Sequence, residues 1–265
     1  MAELTVEIGG LRTAIVTASR EIAEVVERRY AGFLGEGPAA WRVEAGRRPE
    51  GVVPITDVTV RRAGGRPDCL VVERHDFLAT LDLRARAGTL ALGAADHVAV
   101  DSFLRVMYSL ALLEQGGLLV HAASLARQDR AWVFSGPSGS GKTTLTRVSP
   151  GAALLSDEIS IVRLRDGRLR CHGSPFWGEL GIPGENDEVD VAAIHFLRHA
   201  ERHAATPLTA RRALQTLLPN VLFFAAEPAL VKRVLDVAAA VVKAVPCFAL
   251  GFRPEPAVWE VIAGA

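Results

Sequence analysis

Gly136, Pro137, Ser138, Gly139, Ser140, Gly141, Lys142 and Thr143 fit G-x-x-x-x-G-K-[ST] at every constrained position, and Thr144 follows directly. The three glycines let the backbone turn sharply and come close to a polyphosphate, so that amide hydrogens and the start of a helix point at its oxygens. Lys142 is then placed to reach the β- and γ-phosphates, and the Thr143 hydroxyl to hold a magnesium ion. A turn that merely joins a strand to a helix would need the glycines alone. The Lys-Thr pair at fixed offset, with the apolar run Ala131–Phe134 before it, points to nucleotide binding. Because such a loop should face solvent, its lysine is expected to fill no core. Switches, motors, transporters and kinases all use this loop, so the remaining residues must decide the chemistry.

A phosphate loop of this kind needs an acid at the end of a neighbouring strand to hold magnesium through water. Asp157, fifteen residues after Lys142, ends the apolar run Ala152–Ser156. Glu158 adds a second carboxylate, so that one acid could serve the metal and the other take a hydroxyl proton. In a regular strand neighbouring side chains point to opposite faces, so the two share a site only if the strand twists or ends there. His121 lies in the apolar strand Leu118–Leu125, where a histidine is usually a core residue; the hairpin to the next strand would nevertheless bring it near the phosphates. His195, His199 and His203 have i, i+4, i+8 spacing. With Arg198, Glu201 and Arg202 around them they read as a solvated, mostly basic face in place of a metal site. Glu179, in the irregular stretch from Phe176 to Glu185, could line the cleft or cap a turn.

The elements that must position these groups follow from pattern. Leu4–Ile8 and Leu11–Val16 flank Gly9-Gly10 as a hairpin, and an amphipathic helix runs from Ser19 to near Gly35. Turn-rich stretches over 35–38 and 46–54 precede short strands at Val58–Val60, Cys69–Val72, Phe77–Leu83 and Thr89–Leu92. Asp101 is expected to cap a helix that ends at Gly116-Gly117. Beyond the loop come a hairpin around Asp166-Gly167, a strand over Val189–Leu197, helices opened by Thr209 and Pro228, a strand over Cys247–Phe252 and a closing helical turn.

Composition narrows the classes. Thirty basic residues balance thirty acidic ones, which recommends neither nucleic acid nor an anionic membrane as the main partner. Three widely spaced cysteines without C-x-x-C suit a reducing cytoplasm, and Glu3 and Glu7 stand where a signal peptide would need a basic start. The apolar tract Val221–Leu250 carries five charged residues and does not read as a membrane span.

Taken together, His121-Ala-Ala-Ser124, the glycine-lysine loop and Leu154-Leu-Ser-Asp-Glu158 resemble the catalytic domain of the HPr serine kinase family, closest to its shorter relatives. In that family a histidine precedes the loop lysine by the twenty-one residues found here, and a carboxylate pair follows on the next strand. The likeness runs more loosely through Gly173–Glu179 and covers residues 99 to 265. It implies a mixed α/β (α+β) fold with a P-loop kinase core of the HPr kinase/phosphoenolpyruvate carboxykinase type, built on a mixed, largely antiparallel sheet. Residues 1–98 would form a separate β-rich region with one helix, packed on the core. The sequence departs from HPr kinases in that region, in Asp-Glu for Asp-Asp, and in a short lysine-to-acid spacing, which points away from HPr as the substrate. The shorter relatives include kinases of peptide natural-product pathways, such as those that phosphorylate a serine of a lasso-peptide precursor, and others that act on free serine.

The expectation is therefore a cytoplasmic ATP- and Mg2+-dependent kinase that transfers the γ-phosphoryl group to a hydroxyl, first of all a serine of a peptide or protein. Its catalytic residues would be Asp157, Glu158, His121 and Lys142, with Thr143 and Asp157 at the metal. No nucleic acid or membrane partner is expected, and a homo-oligomer is compatible with the reading. The alternatives are a nucleotide hydrolase or switch without an acceptor, and a kinase of a small molecule such as free serine.

Overall fold

The computed structural model describes residues 1–48 and 57–264, and the chain divides into two compact units. The first holds residues 1–111 and 223–231, the second 112–222 and 232–265. The helix expected to open the segment 99–265 thus belongs to the first unit.

The first unit is a seven-stranded sheet with two helices. Strands β1 (Ala2–Ile8) and β2 (Leu11–Thr17) form the expected hairpin around Gly9-Gly10, followed by α1 (Arg20–Arg29) and β3 (Trp41–Arg47). Then come β4 (Thr59–Ala63), β5 (Arg66–Arg74), β6 (Phe77–Asp82), β7 (Ala87–Leu92) and α2 (His97–Ala111). The strand order is β1-β2-β3-β7-β6-β5-β4, with β3 parallel to both neighbours and every other pairing antiparallel. Ser19 caps α1 by accepting the Ile22 amide, but the helix stops at Arg29 and only a 3-10 turn carries the chain to Phe33. The expected turn over 46–54 lies largely outside the described residues; Gly46 and Arg47 themselves belong to β3.

Asp101 is not a cap. It lies one turn inside α2, buried, where it takes a forked pair of bonds from the Arg29 guanidinium and one from the Tyr30 hydroxyl. Asp96 fills the expected role, its carboxylate accepting the Val98 amide at 3.2 Å. A helix start read from one acid could not distinguish two acids five residues apart, because only the inner one has a buried cation to neutralise.

The second unit carries an eight-stranded mixed sheet built from hairpins. It begins with β8 (Gly117–Arg127), which turns back through Gln128-Asp129 into β9 (Arg130–Ser135). Both turn residues are left-handed, as a two-residue hairpin of matching twist requires. Next come α3 (Lys142–Arg147), β10 (Ala153–Ser156), β11 (Ile159–Arg165), β12 (Arg168–His172), β13 (Glu188–His199) and β14 (Ala204–Pro207). The chain ends with α4 (Ala210–Leu217), α5 (Pro228–Ala244), β15 (Cys247–Phe252) and α6 (Val258–Ala263). Strand β14, a short Ala-Ala-Thr-Pro segment, carries no alternation that marks it in the sequence.

Pairing runs β8 to β11 to β12 to β13 to β9 and back to β8, a closed circuit of five strands. β13 runs parallel to β9 on one side and to β15 on the other, and β9 in turn pairs with β8, so the strand that feeds the glycine loop has partners on both sides. A six-residue helix such as α3 has no stability of its own. It is held by Leu145, fully buried in one cluster with Phe134, Phe252, Trp259 and Ile262, a burial worth about 2 kcal/mol. Trp259 also donates its indole N–H to the Ser149 hydroxyl at 2.8 Å, tying α6 to the end of α3.

Candidate functional site

Strand β9, the loop 136–141 and α3 form the strand-loop-helix that the glycine spacing requires. Gly139 and Gly141 both have positive φ, +78° and +97°. A β-carbon on Gly141 would also lie 2.8 Å from the Phe252 ring, so this glycine is required by shape as well as by backbone angle. Ser140 donates its amide to the Pro137 carbonyl, closing the turn, while its hydroxyl is buried and has no partner.

The loop opens onto a cavity of about 270 Å³. Ser138, Gly139, Gly141, Lys142, Thr143 and Thr144 line it on one side; His121, Asp157, Glu158, Gly178, Glu179 and His199 line the other parts. Every catalytic and metal residue expected from the sequence therefore reaches one cavity, together with most of the loop. Gly136, Pro137 and Ser140 form the back of the turn and do not line it.

Lys142 is buried, at 8 % exposure, within a loop expected to face solvent. Its Nζ donates to the Gly136 carbonyl at 2.8 Å and the Pro137 carbonyl at 3.0 Å. The loop wraps its own lysine because those two carbonyls point inward once the glycines have turned the chain. Burial pulls the Lys142 pKa below the ordinary lysine value, and the charges of Glu158 and Glu179 oppose that pull.

Asp157 and Glu158 sit at a bend between β10 and β11, both of which pair with β8 from the same side. The register shifts between Leu154 and Ser156, and the ladder resumes at Ile159 opposite His121. The bend at 157–158 resolves the facing problem: outside a regular strand, two consecutive acids can line the same cavity. The same register places His121 directly across from the bend, and the Ala122 amide donates to the Glu158 carbonyl at 3.0 Å.

The Asp157 carboxylate, 4 % exposed, is engaged by the glycine-aromatic stretch. Its Oδ1 accepts the Gly178 amide at 2.8 Å and its Oδ2 the Leu180 amide at 2.9 Å. That stretch is also pinned at its base, with the Ser174 amide on the Leu155 carbonyl and the Glu185 amide on the Leu154 carbonyl. Gly178 and Gly184 are needed for the close approach: a β-carbon would lie 2.9 Å from the Glu158 side chain in the first case and 1.8 Å from the Leu155 carbonyl in the second. Glu179 is thereby held at the cavity wall.

The three histidines do not form one solvated face. His195 and His199 lie in strand β13, where spacings of four and eight have no helical meaning, and His203 lies in the turn after it. His195 is fully buried between the Phe134 and Phe248 rings, at 5.6 and 5.2 Å between centroids. His199 is exposed, lines the cavity, and bonds through Nε2 to the Gly139 carbonyl at 2.8 Å. The sequence reading missed His199 because the helical spacing misled it; the signal that could have found it is the strand run Val189–Leu197, which leaves His199 just past a strand end.

Among the described residues no group of three or more His, Cys, Asp or Glu side chains is arranged to hold a metal ion. The donors that fit one are sparse and hard: the Thr143 hydroxyl, and Asp157, whose oxygens each keep a lone pair beyond the amide they accept. Such a set suits magnesium, which keeps most of its waters and is held chiefly through phosphates. All three cysteines are unpaired, and no described helix is long and apolar enough to cross a membrane.

No curated protein matches the chain. Among solved structures, the Hpr(Ser) kinase/phosphatase from Coxiella burnetii matches with 10% identity over 55% of this chain and 94% of that one, at a TM-score of 0.33. A family model described as SynChlorMet cassette protein ScmC matches residues 94–264. That match takes in more than half of the chain, including the glycine loop, the bend at Asp157–Glu158 and the stretch that closes on it, so the chain belongs to the ScmC family.

Proposed function

We propose that this chain is a kinase that uses ATP and magnesium to phosphorylate a hydroxyl, with a serine of a peptide or protein as the acceptor. The observation that carries the reading is the convergence of Lys142, Thr143, Asp157, Glu158 and His121 on one cavity from three separate parts of the chain. A hydrolase or switch needs the loop, one acid and a group that orients water. A second acid and a histidine on the far wall are what a transfer to a bound hydroxyl adds.

ATP supplies the phosphoryl group, and magnesium neutralises charge on it. The amides of the loop and the Thr143 hydroxyl bind the phosphate oxygens and the metal on one side of the cavity. Lys142 exchanges the Gly136 and Pro137 carbonyls for phosphate oxygens, which favour its charged form and reverse the effect of burial. Asp157 would help hold the magnesium through its remaining lone pairs, while its carboxylate holds the stretch that carries Glu179. The acceptor oxygen bonds to the γ-phosphorus as the bond to the β–γ bridging oxygen breaks; Glu158 takes the hydroxyl proton, and His121, across the bend, orients the reacting groups.

The test is product analysis with MgATP and a panel of serine peptides, followed by mass spectrometry, in wild type and Lys142→Ala. Phosphopeptide formation that Lys142→Ala abolishes supports the reading. Release of inorganic phosphate alone favours the hydrolase, phosphoserine from free serine favours the small-molecule kinase, and undiminished transfer by folded Lys142→Ala removes the site as drawn.

A further inference from the structure

We infer that His199 is a positioning residue that holds the apex of the glycine loop in its binding shape before any ligand arrives; this rests on the reading of that loop as a phosphate cradle. Strand β13 pairs in parallel with β9, Phe196 opposite Ser135, and then runs three residues further than the strand that feeds the loop. The overshoot brings its last residue, His199, to the loop apex. On its other side β13 pairs with β15, His199 opposite Phe252, and the Phe252 ring lies beside Gly141, 2.8 Å from where a β-carbon there would stand. One register pair thus touches both left-handed glycines of the loop, Gly139 through a hydrogen bond and Gly141 through an aromatic edge.

Gly139 needs such a restraint. It has positive φ, and a β-carbon there would meet nothing within 4 Å, so this residue has no side chain to anchor it and open space on that side. The Gly139 carbonyl can only accept, so His199 carries its proton on Nε2 and donates it. The following amide, of Ser140, points the opposite way and donates to the Pro137 carbonyl at 3.2 Å. The carbonyl is thus held by His199 and the amide by the Pro137 carbonyl, and the 139–140 peptide cannot flip without breaking both bonds. A preformed cradle binds more tightly because less order is lost on binding.

The test compares His199→Ala, which loses the donor, with His199→Gln, whose side-chain N–H reaches nearly the same place. Hydrogen exchange over residues 136–142 is measured in the unliganded protein, and ADP affinity by calorimetry, with melting temperature as a control for folding. Faster loop exchange and roughly three- to tenfold weaker ADP binding are expected for His199→Ala, the change that one lost hydrogen bond produces. His199→Gln should restore both. Loop exchange that is the same in His199→Ala and wild type overturns the inference. So does a His199→Gln variant no better than His199→Ala in ADP affinity, since the imidazole would then act by touching the nucleotide. If wild type binds no ADP, the nucleotide reading fails, while the exchange comparison still decides whether His199 orders the loop.

Discussion

Replacing Asp157 by asparagine tests two roles of one side chain at once. The new carboxamide would keep one acceptor for the Gly178 or Leu180 amide but turn an NH2 group toward the other, so one charged hydrogen bond is lost and a donor faces a donor in a site 4 % exposed. A hydrogen bond to a charged group contributes about 1.5–3 kcal/mol, so the local cost is about 2–3 kcal/mol. The base of the stretch keeps its bonds to Leu154 and Leu155, so the cost falls on residues 176–181 opening and not on the whole unit. Amide exchange there should rise by roughly thirty- to a hundred-and-fiftyfold, the change that 2–3 kcal/mol corresponds to. The global melting temperature should fall far less. Magnesium-dependent ADP binding should weaken in the same variant, because charge near the metal is lost in the ground state as well. Unchanged exchange at Gly178 and Leu180 would refute the clamp, and a clamp that loosens while magnesium dependence stays normal would leave Asp157 a structural residue only.

Three further predictions use other parts of the same unit. Glu158→Gln should leave Mg-ADP binding near wild type and cut single-turnover transfer while removing the acidic limb of its pH profile; loss of binding instead would assign Glu158 to the metal. His121→Ala should lower turnover by a factor of roughly ten to a thousand with little change in melting temperature, whereas a large loss of stability with normal turnover would make it a packing residue. His195 has its pKa pushed down to about 4 by burial, from the ordinary 6.5, so between those values the unfolded chain takes up a proton that the folded chain refuses. Stability is then full above pH 6.5 and lost as pH falls toward 4, and denaturant titrations should show wild type losing about 2 kcal/mol more than His195→Leu between pH 8 and pH 5; parallel losses would mean that the imidazole is not held neutral.

Much of the candidate site was legible because its signals are local. A phosphate-loop pattern needs glycines and a lysine at fixed offsets in one turn, and hairpins such as those at Asp166-Gly167 and Gly9-Gly10 declare themselves through residues that tolerate left-handed backbone. The acid pair after an apolar strand belongs to the same class of signal. What these patterns could not contain is whether the two acids face one cavity, since that depends on the bend at 157–158, where the chain leaves the ladder with β8 between β10 and β11, a property of the pairing of two distant segments. Whether a lysine is exposed depends on where the loop's own carbonyls point after folding, and Lys142 is buried for that reason. His195 and His199 separate their fates over four residues of one strand: one ring is stacked between two phenylalanines from neighbouring strands, the other reaches the loop because β13 outruns β9. The chemistry offered by each residue is written in its type and its near neighbours. Which residues meet is set by long-range strand register, and no short-range pattern carries that information.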